Sequence, residues 1–442
     1  MRRSLLARTA LLAGQLGVAP PGRAIRTSLH LCWIAVALAC PIGCALLHAR
    51  SQVSRIEEAR IIRGGVAGSQ GASVVVVALE QPEQRITDFF VLDGDGEYTL
   101  LVAPGRYRVL AFADRNGDRI HQLDEPAAYL KAPPVLEIGD RVLNAGFGVT
   151  LPASPGDPPG ASIDLADPDL DANVGFGRTS PGAVVPLSDA RFARANGEKG
   201  LWRPADFLQE PGGGLFFLEP YDDDRTPVVF VHGAAGTPRD FAFLIDRLDR
   251  QRFQAWAAHY PSALRLEPVA DYLNLALRTL RARLGFERVF VVAHSMGGLV
   301  VRAFLNEFIA PADEDWVPVF VSISTPWQGH AAAETGVRRS PVVLPSWRDM
   351  APSSVFIRTL FETPLSATVE FHLFFGFEGN RRFRSTGGIN DGVVSVASQL
   401  APEAQRDARR LYGFASNHTD ILRSPEVSRT LNALLAVGDK ER

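Results

Sequence analysis

The sequence predicts an α/β fold with a doubly wound, mostly parallel sheet, preceded by a small antiparallel β-sandwich domain. From Thr226 onward, apolar runs typical of buried strands alternate with segments whose apolar residues recur at helical spacing. Over residues 64–150 the chain instead has short β-rich runs separated by turn signals, which is typical of an antiparallel sandwich. The two patterns therefore predict two domains of different architecture.

Composition limits the classes of function. The 442 residues include 46 Lys+Arg and 49 Asp+Glu, giving a formal net charge of −3, which lacks the basic excess of a nucleic-acid-binding protein. A hydrophobic content of 46% with 26 Phe excludes an intrinsically disordered chain. All 3 Cys lie within the first 44 residues. The remaining chain therefore has no disulfide, no thiolate metal site and no cysteine nucleophile.

Residues 1–44 are predicted to be an export signal. Several Arg residues precede an uncharged apolar stretch over residues 31–47, which contains the sequence ACPIGCA. This stretch is short for a transmembrane helix, and Pro41 and Gly43 interrupt it. A small residue before Cys at the end of such a stretch resembles the bacterial lipobox, in which the Cys is lipidated after cleavage.

Cys44, which follows Gly43, is the preferred lipidation site. Cys40 after Ala39 is an alternative, weakened by the proline that follows it, and an uncleaved signal anchor is another. Each interpretation predicts a membrane-anchored protein of the bacterial cell envelope, facing the periplasm or the exterior. Residues 45–63, which are polar with helical spacing, would then be a tether.

Residues 64–150 are the predicted β-sandwich. Strand-like runs such as the one beginning at Tyr107 are separated by turn signals at residues 93–96 and 104–105. The run GEYTLLVAPGRYRVLAFADRNGD resembles the carboxypeptidase-regulatory or prealbumin-like accessory domains of secreted proteins. The resemblance implies a spacer or a binding module.

An acidic loop in this domain has part of the spacing of a calcium-binding loop. Asp114, Asn116, Asp118 and Glu125 occupy positions 1, 3, 5 and 12 of an EF-hand loop, but Arg119 stands at the sixth position, where that loop requires Gly. No helical pattern flanks the segment. A solvated acidic turn is the preferred interpretation, and no metal is predicted.

Two further segments complete the organisation of the chain. Residues 151–214 are rich in Pro, Gly, Asp and Ala without periodicity and are predicted to be a linker. Residues 215–436 are predicted to be the catalytic domain, with a cap insertion at about residues 327–366 between late strands.

The strongest chemical signal is an apolar strand that turns directly into a helix around Ser295. Such a turn places its middle residue at strained backbone angles, and small residues two positions before and after prevent a clash. Ala293 and Gly297 meet that requirement. The turn therefore presents the Ser295 hydroxyl at the carboxyl edge of the sheet, at the N-terminus of the following helix.

This part of the chain resembles an α/β-hydrolase of the bacterial lipase/esterase type, over about residues 215–436. The sequence AHSMGG is similar to the elbow of the small bacillar lipases, and the strand over 228–233 followed by AAG resembles the oxyanion loop of the family. The resemblance implies that the backbone N–H groups of Ala234 and Met296 form the oxyanion hole. Residues 324–329 resemble the Thr-Pro-His-x-Gly segment of lipases, with Trp327 where His is usual.

A serine nucleophile requires a base and an orienting carboxylate. In this fold they follow the serine in the order Asp or Glu, then His. Asp391, in a turn before an apolar run, is similar to the acid segment of the family, and Glu378 and Asp407 are its alternatives. His418, in a segment after a short last strand, resembles the His loop of the family and is the predicted base.

The remaining histidines of the catalytic domain are poorly positioned for the role of base. They lie in the oxyanion loop, in the elbow, before the serine, in the cap region or within a strand: His232, His294, His259, His330 and His372.

The predicted function is therefore a membrane-tethered serine hydrolase that cleaves carboxylic esters through an acyl-enzyme on Ser295, without a cofactor. Apolar residues in the cap region favour a fatty or other apolar acyl group as substrate. A phospholipase or lipid deacylase and an acyltransferase with the same triad are alternatives. In another class, the alternative is a non-catalytic cell-envelope binding protein on a hydrolase fold. The oligomeric state stays open.

Overall fold

The computed structural model describes residues 47–139, 143–154, 163–165, 180–310, 314–379 and 388–439. The chain divides into a unit over Met1–Ser51 and a unit over Gln52–Arg442. The predicted export signal, including Cys40 and Cys44, lies outside the described residues. None of the helices in the described ranges is both long enough and apolar enough to cross a membrane.

The N-terminal domain consists of two small sheets with the strand orders β4-β1-β8 and β3-β2-β5-β6, with β7 beside β5. Apolar side chains from both sheets, among them Ile62, Val76 and Tyr98, form one buried cluster between them. The strands are β1 (Arg60–Ala67), β2 (Ser73–Glu80), β3 (Arg85–Leu92), β4 (Gly96–Val102), β5 (Gly105–Asp114), β6 (Ala127–Tyr129), β7 (Leu136–Ile138) and β8 (Leu143–Thr150).

The pairing in this domain differs from the prediction at one place. The pairs β1–β4, β2–β3, β2–β5, β5–β6 and β5–β7 are antiparallel, whereas β1 and β8 are parallel. The chain reaches β8 from β7, which belongs to the other sheet, so no hairpin links β8 to its partner. A turn-based prediction has no signal for such a crossover.

The predicted tether over residues 45–63 is a helix followed by part of a strand. Residues 47–58 are helical (α1), and β1 begins at Arg60. The strand contains two glycines, which weaken its β signal in the sequence. One of them is required by packing, because a Cβ atom built on Gly64 would lie 2.0 Å from the carbonyl oxygen of Phe147.

Two carboxylate side chains of the acidic loop after β5 hold the backbone of that loop. Asp114 accepts hydrogen bonds from the N–H groups of Gly117 and Arg119, and Glu125 accepts from those of Arg115 and Gln122. Both carboxylates are buried, so the turn is not solvated at these two side chains, contrary to the prediction. Their role in the loop is to satisfy N–H groups that would otherwise be buried without a partner.

The predicted catalytic domain is built on a seven-stranded sheet with the order β15-β14-β13-β12-β10-β11-β9. All neighbours are parallel except β9, which is antiparallel to β11. The strands are β9 (Gly214–Phe217), β10 (Thr226–Val231), β11 (Phe253–His259), β12 (Phe290–His294), β13 (Val319–Ile323), β14 (Glu370–Gly376) and β15 (Arg410–Phe414).

Helices cover both faces of this sheet, as the doubly wound prediction requires. Side chains alternate along β10, so that Val229 and Val231 join one core cluster and Val228 and Phe230 join the other. The helices are α2 (Arg194–Trp202), α3 (Pro204–Gln209), α4 (Ala242–Asp246), α5 (Leu266–Leu284), α6 (Met296–Phe304), α7 (Ala331–Arg339), α8 (Pro345–Met350), α9 (Val355–Thr359), α10 (Val396–Gln399), α11 (Pro402–Asp407) and α12 (Pro425–Gly438).

The strand order reverses at β10, which has β11 on one side and β12 on the other. At such a switch point the loops that follow neighbouring strands diverge and leave a crevice at the carboxyl edge of the sheet. The loop after β10 and the turn after β12, where the sequence places the oxyanion loop and Ser295, both lie at this edge.

The predicted linker over residues 151–214 ends in structure that belongs to the catalytic domain. The N–H of Val185 donates to the carbonyl of Phe217 in β9, and α2 and α3 follow. Phe207 of α3 is fully buried in the main core, and Phe192 packs against Phe216. The catalytic domain therefore extends to at least residue 180. This segment was not recognised in the sequence because it has little apolar periodicity. Its few apolar residues are anchored by contacts with distant strands.

Phe192→Ala tests this revised boundary. The side chain is fully buried and makes edge contacts with Phe216 and His259, at ring-centroid distances of 5.5 and 5.3 Å. We expect the substitution to lower the free energy of unfolding by about 3–5 kcal/mol, measured by urea denaturation. Leu123→Ala, at an exposed side chain, is the control and should change stability by less than about 0.5 kcal/mol. Equal effects of the two variants would show that the segment is a linker.

Candidate active site

Ser295 is the single residue between the end of β12 and the start of α6. Its backbone has φ +53° and ψ −127°, a conformation that is strained for a residue with a side chain. The N–H of Ser295 donates to the carbonyl of Ile323 at 2.8 Å, which fixes the turn to the neighbouring strand β13. The strand-to-helix turn predicted from the sequence is therefore present.

Glycines around the turn are required by close backbone contacts. A Cβ atom built on Gly297 would lie 2.4 Å from the carbonyl oxygen of Val231. One built on Gly233 would lie 2.8 Å from Cβ of Ser295, so the loop after β10 passes directly against the serine. These contacts explain why positions 297 and 233 are both occupied by glycine.

The structure brings Ser295, His418 and Asp391 together. His418 Nε2 lies 3.0 Å from Ser295 Oγ, and His418 Nδ1 lies 2.7 Å from Asp391 Oδ2. His418 and Asp391 are buried, whereas Ser295 is half-buried. The N–H of His418 also donates to the carbonyl of Asp391 at 2.8 Å, so the two loops are joined through their backbones as well.

Asp391 is held in its ionised form. Burial alone would raise the pKa of this carboxyl group, but the ring of His418 and the N–H groups of Val394 and Val393 donate to it and hold the pKa below its usual value. An ionised Asp391 accepts the Nδ1–H of His418. The imidazole then presents the lone pair of Nε2 to the serine hydroxyl.

The alternative acids lie elsewhere. Asp407 is paired with the buried guanidinium of Arg302 at 2.7 Å, and Glu378 is exposed in the segment after β14. Neither carboxylate is hydrogen-bonded to a histidine among the described contacts. Of the three candidates for the acid, Asp391 is the one that is hydrogen-bonded to His418 among these contacts.

The loop over residues 232–236 is held rigidly beside Ser295. The carbonyl of Gly233 accepts from Nδ1 of His232 at 2.9 Å and from the N–H of Gly236 at 3.1 Å. The C=O of Gly233 and the N–H of Ala234 belong to one planar trans peptide and point in opposite directions. Because the carbonyl of Gly233 is held in place, the N–H of Ala234 is fixed in the opposite direction.

The N–H groups of Ala234 and Met296 are the two predicted oxyanion donors. Within the part of the chain that the structure describes, neither has a hydrogen-bond partner. Met296 opens α6, where the first N–H groups of a helix have no acceptor inside the helix. Both donors are therefore available to an anionic oxygen bound near Ser295.

Two residues that the sequence did not single out support the oxyanion loop. The hydroxyl of Tyr260 donates to the carbonyl of His232 at 2.5 Å, and its ring stacks on the His232 ring. Ser262 Oγ accepts from the N–H of Ala235 at 2.9 Å. Burial lowers the pKa of His232 to about 4, so its ring is neutral near pH 7 and Nδ1 carries the proton.

His294, the last residue of β12, supports the loop over residues 415–419, here called the base loop because it carries His418. Its Nε2 donates to the carbonyl of His418 at 2.8 Å, and the two rings lie 4.7 Å apart. Burial, followed by the neighbouring ring of His418, lowers the pKa of His294 to about 3. The sequence places His294 in the elbow, but its partner lies 124 residues later.

Metal-binding groups are sparse in the described ranges, where one cluster of carboxylates is close enough to share an ion. It consists of Asp222, Asp223 and Asp224, in the turn before β10. Asp222 is paired with Arg225 at 2.7 Å. The turn precedes a strand that is parallel to β12, so it lies at the opposite edge of the sheet from Ser295.

Comparison with a protein-family model agrees with this architecture. Residues 228–435 match the model of the alpha/beta hydrolase family. None of the curated proteins matches the chain. Among solved structures, the mature lipase BlEst2 of Bacillus licheniformis is 17% identical, with a TM-score of 0.40, and the match covers 51% of this chain and 97% of that one.

Two further solved structures show similarly remote likeness. Phospholipase PlaB of Legionella pneumophila is 21% identical, with a TM-score of 0.34 and coverage of 39% of this chain and 45% of that one. The lin2722 gene product of Listeria innocua is 15% identical, with a TM-score of 0.38 and coverage of 48% and 94%.

Gly297→Ala tests whether the turn depends on the close backbone contact. The new methyl group would overlap the carbonyl of Val231, which cannot move without shifting β10. We expect stability to fall by about 1–3 kcal/mol, measured by thermal unfolding. Gly148→Ala is the matched control, because a Cβ atom there meets nothing within 4 Å. Equal stability of the two variants would contradict the proposed packing.

Proposed function

We propose that this protein is a serine hydrolase that cleaves carboxylic esters through an acyl-enzyme on Ser295. The observation that carries the proposal is the continuous hydrogen-bonded chain from Ser295 Oγ through His418 to Asp391. It lies at the carboxyl edge of a sheet whose residues match an alpha/beta hydrolase family. An intact chain of this kind argues against the alternative of a non-catalytic binding protein.

The first half of the reaction forms the acyl-enzyme. His418 Nε2 takes the proton of Ser295 as Oγ attacks the carbonyl carbon of the ester, and Asp391 stabilises the imidazolium that results. The carbonyl oxygen becomes an oxyanion. As the carbon–oxygen bond to the alcohol breaks, His418 gives its proton to the departing oxygen, and the alcohol leaves.

The second half repeats these steps with water. His418 takes a proton from water, the hydroxide attacks the acyl carbon, and the bond to Ser295 breaks as Oγ regains its proton. The N–H groups of Ala234 and Met296 serve the oxyanion in both halves, and one such donor contributes about 3–4 kcal/mol of transition-state stabilisation. The N-terminus of α6 adds a favourable dipole. No cofactor takes part in these steps.

Apolar groups around the site support an ester with an apolar acyl chain. Of the cap residues that favoured such a substrate, Trp327, Phe356 and Ile357 are buried in the core. The support comes instead from exposed side chains next to Asp391, namely Ile389 and Val393 in its own loop. Together with Phe377 beyond β14, they would present apolar surface to a lipid-like ester.

Substitutions of the triad test the proposal. We expect Ser295→Ala to abolish labelling by a fluorophosphonate and turnover of p-nitrophenyl esters without unfolding the protein. His418→Ala should cost nearly as much, because the two residues act as a unit. Asp391→Asn should lower kcat by about 10⁴-fold, because it favours the wrong tautomer of the base.

The control for these variants is Glu378→Gln, at the exposed carboxylate that was an alternative acid. Its turnover should equal that of the unmodified protein. If Ser295→Ala keeps full turnover, the nucleophile is wrong. If Asp391→Asn is silent and Glu378→Gln is not, the acid is wrong. A series of acyl chain lengths then defines the substrate preference.

We also propose that the enzyme is tethered to the membrane of the bacterial cell envelope through Cys44. The support is the sequence of residues 1–44, with its basic start, apolar stretch and Gly43-Cys44 end. Cys44→Ala should move the protein from the membrane fraction to the soluble fraction or leave it unprocessed. Cys32→Ala is the control and should fractionate normally. Unchanged fractionation and gel mobility of Cys44→Ala would contradict lipidation at this residue.

A further inference from the structure

The loop over residues 388–395, here called the acid loop because it carries Asp391, is held by two side chains outside the triad. His330 Nε2 lies 2.9 Å from the carbonyl oxygen of Val393. Gln399 Nε2 lies 3.2 Å from the carbonyl oxygen of Val394. The first contact comes from the start of the cap insertion, which precedes the acid loop in the chain, and the second comes from α10, which follows it.

His330 is itself fixed to the cap insertion. It immediately precedes α7, and its N–H donates to the carbonyl of Met350 at 2.7 Å. Gly329 before it has φ +79°, and a Cβ atom there would lie 2.6 Å from the same carbonyl oxygen. This close approach leaves one path for the chain. The backbone of His330 is therefore positioned by the insertion, and its imidazole reaches from there to the acid loop.

The contact from His330 acts on the carboxylate through one peptide group. The C=O of Val393 and the N–H of Val394 belong to the same planar peptide and point in opposite directions. That N–H donates to Asp391 Oδ1 at 2.7 Å, the shorter of its two backbone hydrogen bonds. When His330 holds the carbonyl, it therefore aims the N–H at the carboxylate.

Gln399 fixes the acid loop to the sheet. Its side chain is fully buried and bonds to both backbone groups of Gly376, at 3.0 Å each, as a neighbouring strand would. The same Nε2 reaches the carbonyl of Val394, which also accepts from the N–H of Asp391. The last residue of β14 and the acid loop are thus joined through one amide.

These contacts form one network that includes the base of the insertion. Ser398, next to Gln399, donates through Oγ to the carbonyl of Gly329 at 2.8 Å, and its own carbonyl accepts from the N–H of Trp327. The start of the insertion, α10, the end of β14 and the acid loop therefore hold one another. Movement of any of them would move Asp391.

We propose that His330 and Gln399 are positioning residues, which hold Asp391 in the geometry that orients His418. The proposal rests on the proposed function, because it requires Asp391 to be the acid of the triad. It adds that the cap insertion takes part in the reaction by fixing the carboxylate, in addition to any contact that it makes with substrate.

Substitutions of His330 in the full chain test the proposal. His330→Phe keeps a ring but removes the donor, and we expect kcat on p-nitrophenyl esters to fall about 10- to 100-fold with KM within about twofold, because small displacements of catalytic groups have effects of this size. His330→Gln places an amide N–H near the position of Nε2 and should restore most of kcat. His330→Asn is too short to reach Val393 and should not.

A spectroscopic signature separates positioning from general stability. The proton between His418 Nδ1 and Asp391 gives a far-downfield ¹H NMR resonance in such pairs, and we expect it to shift or broaden in His330→Phe and not in His330→Gln. His121→Phe is the matched control. His121 also contacts a backbone carbonyl, that of Glu125 at 3.3 Å, but lies in the N-terminal domain. It should change neither kcat nor the resonance.

Gln399→Glu gives an independent test. The carboxylate keeps an acceptor for the N–H of Gly376 but loses the donor shared by the carbonyls of Gly376 and Val394. We expect the same loss of kcat and the same change in the NMR resonance. If His330→Phe does not fold, the comparison of His330→Gln with His330→Asn, together with Gln399→Glu, decides the question.

The outcomes separate this proposal from the proposed function. If Ser295→Ala is inactive while folded His330→Phe and Gln399→Glu keep the kcat and the resonance of the unmodified protein, the positioning role is wrong and the hydrolase stands. If Ser295→Ala keeps its turnover, both proposals fail together. Loss of kcat in His330→Phe that His330→Gln does not reverse would also overturn the role assigned to its N–H donor.

Discussion

The strained backbone at Ser295 is the constraint on which the rest of the site depends. A residue with a side chain at φ +53° persists only where its surroundings determine it. Here the turn is bonded to β13, while Gly297 lies against the end of β10 and Gly233 against the serine itself. The strands that flank β12 therefore fix the position of Ser295. The loops that follow the neighbouring strands must then pack around Ser295 to complete the site.

Three neutral histidines fix those loops, each by donating to a backbone carbonyl. His232 holds the oxyanion loop at Gly233, His294 holds the base loop at His418, and His330 holds the acid loop at Val393. Burial lowers the pKa of each, so near pH 7 none brings a positive charge beside His418. A ring with one directed N–H positions a loop without altering the charge of the site.

The sequence was sufficient for features that depend on neighbouring residues and insufficient for those that depend on distant ones. The elbow was predictable because strand, serine and small residues are contiguous, and the triad order followed from the family resemblance. His330 was set aside as a base by its place in the chain, and its contact with Val393, 63 residues later, has no local signal. The segment over residues 180–209 was predicted as linker for the same reason, since β9 and the core anchor it.

Helix α5 connects the contacts around the site to the rest of the molecule. Leu275 on this helix packs against the core of the N-terminal domain, and Asp271 is paired with Arg63 of β1 at 2.5 Å. At the start of the helix, the N–H of Leu266 donates to the buried carboxylate of Asp349 in the cap insertion at 2.8 Å. The insertion in turn holds the acid loop. One helix therefore contacts both the N-terminal domain and the cap insertion, and through the insertion it is connected to the acid loop.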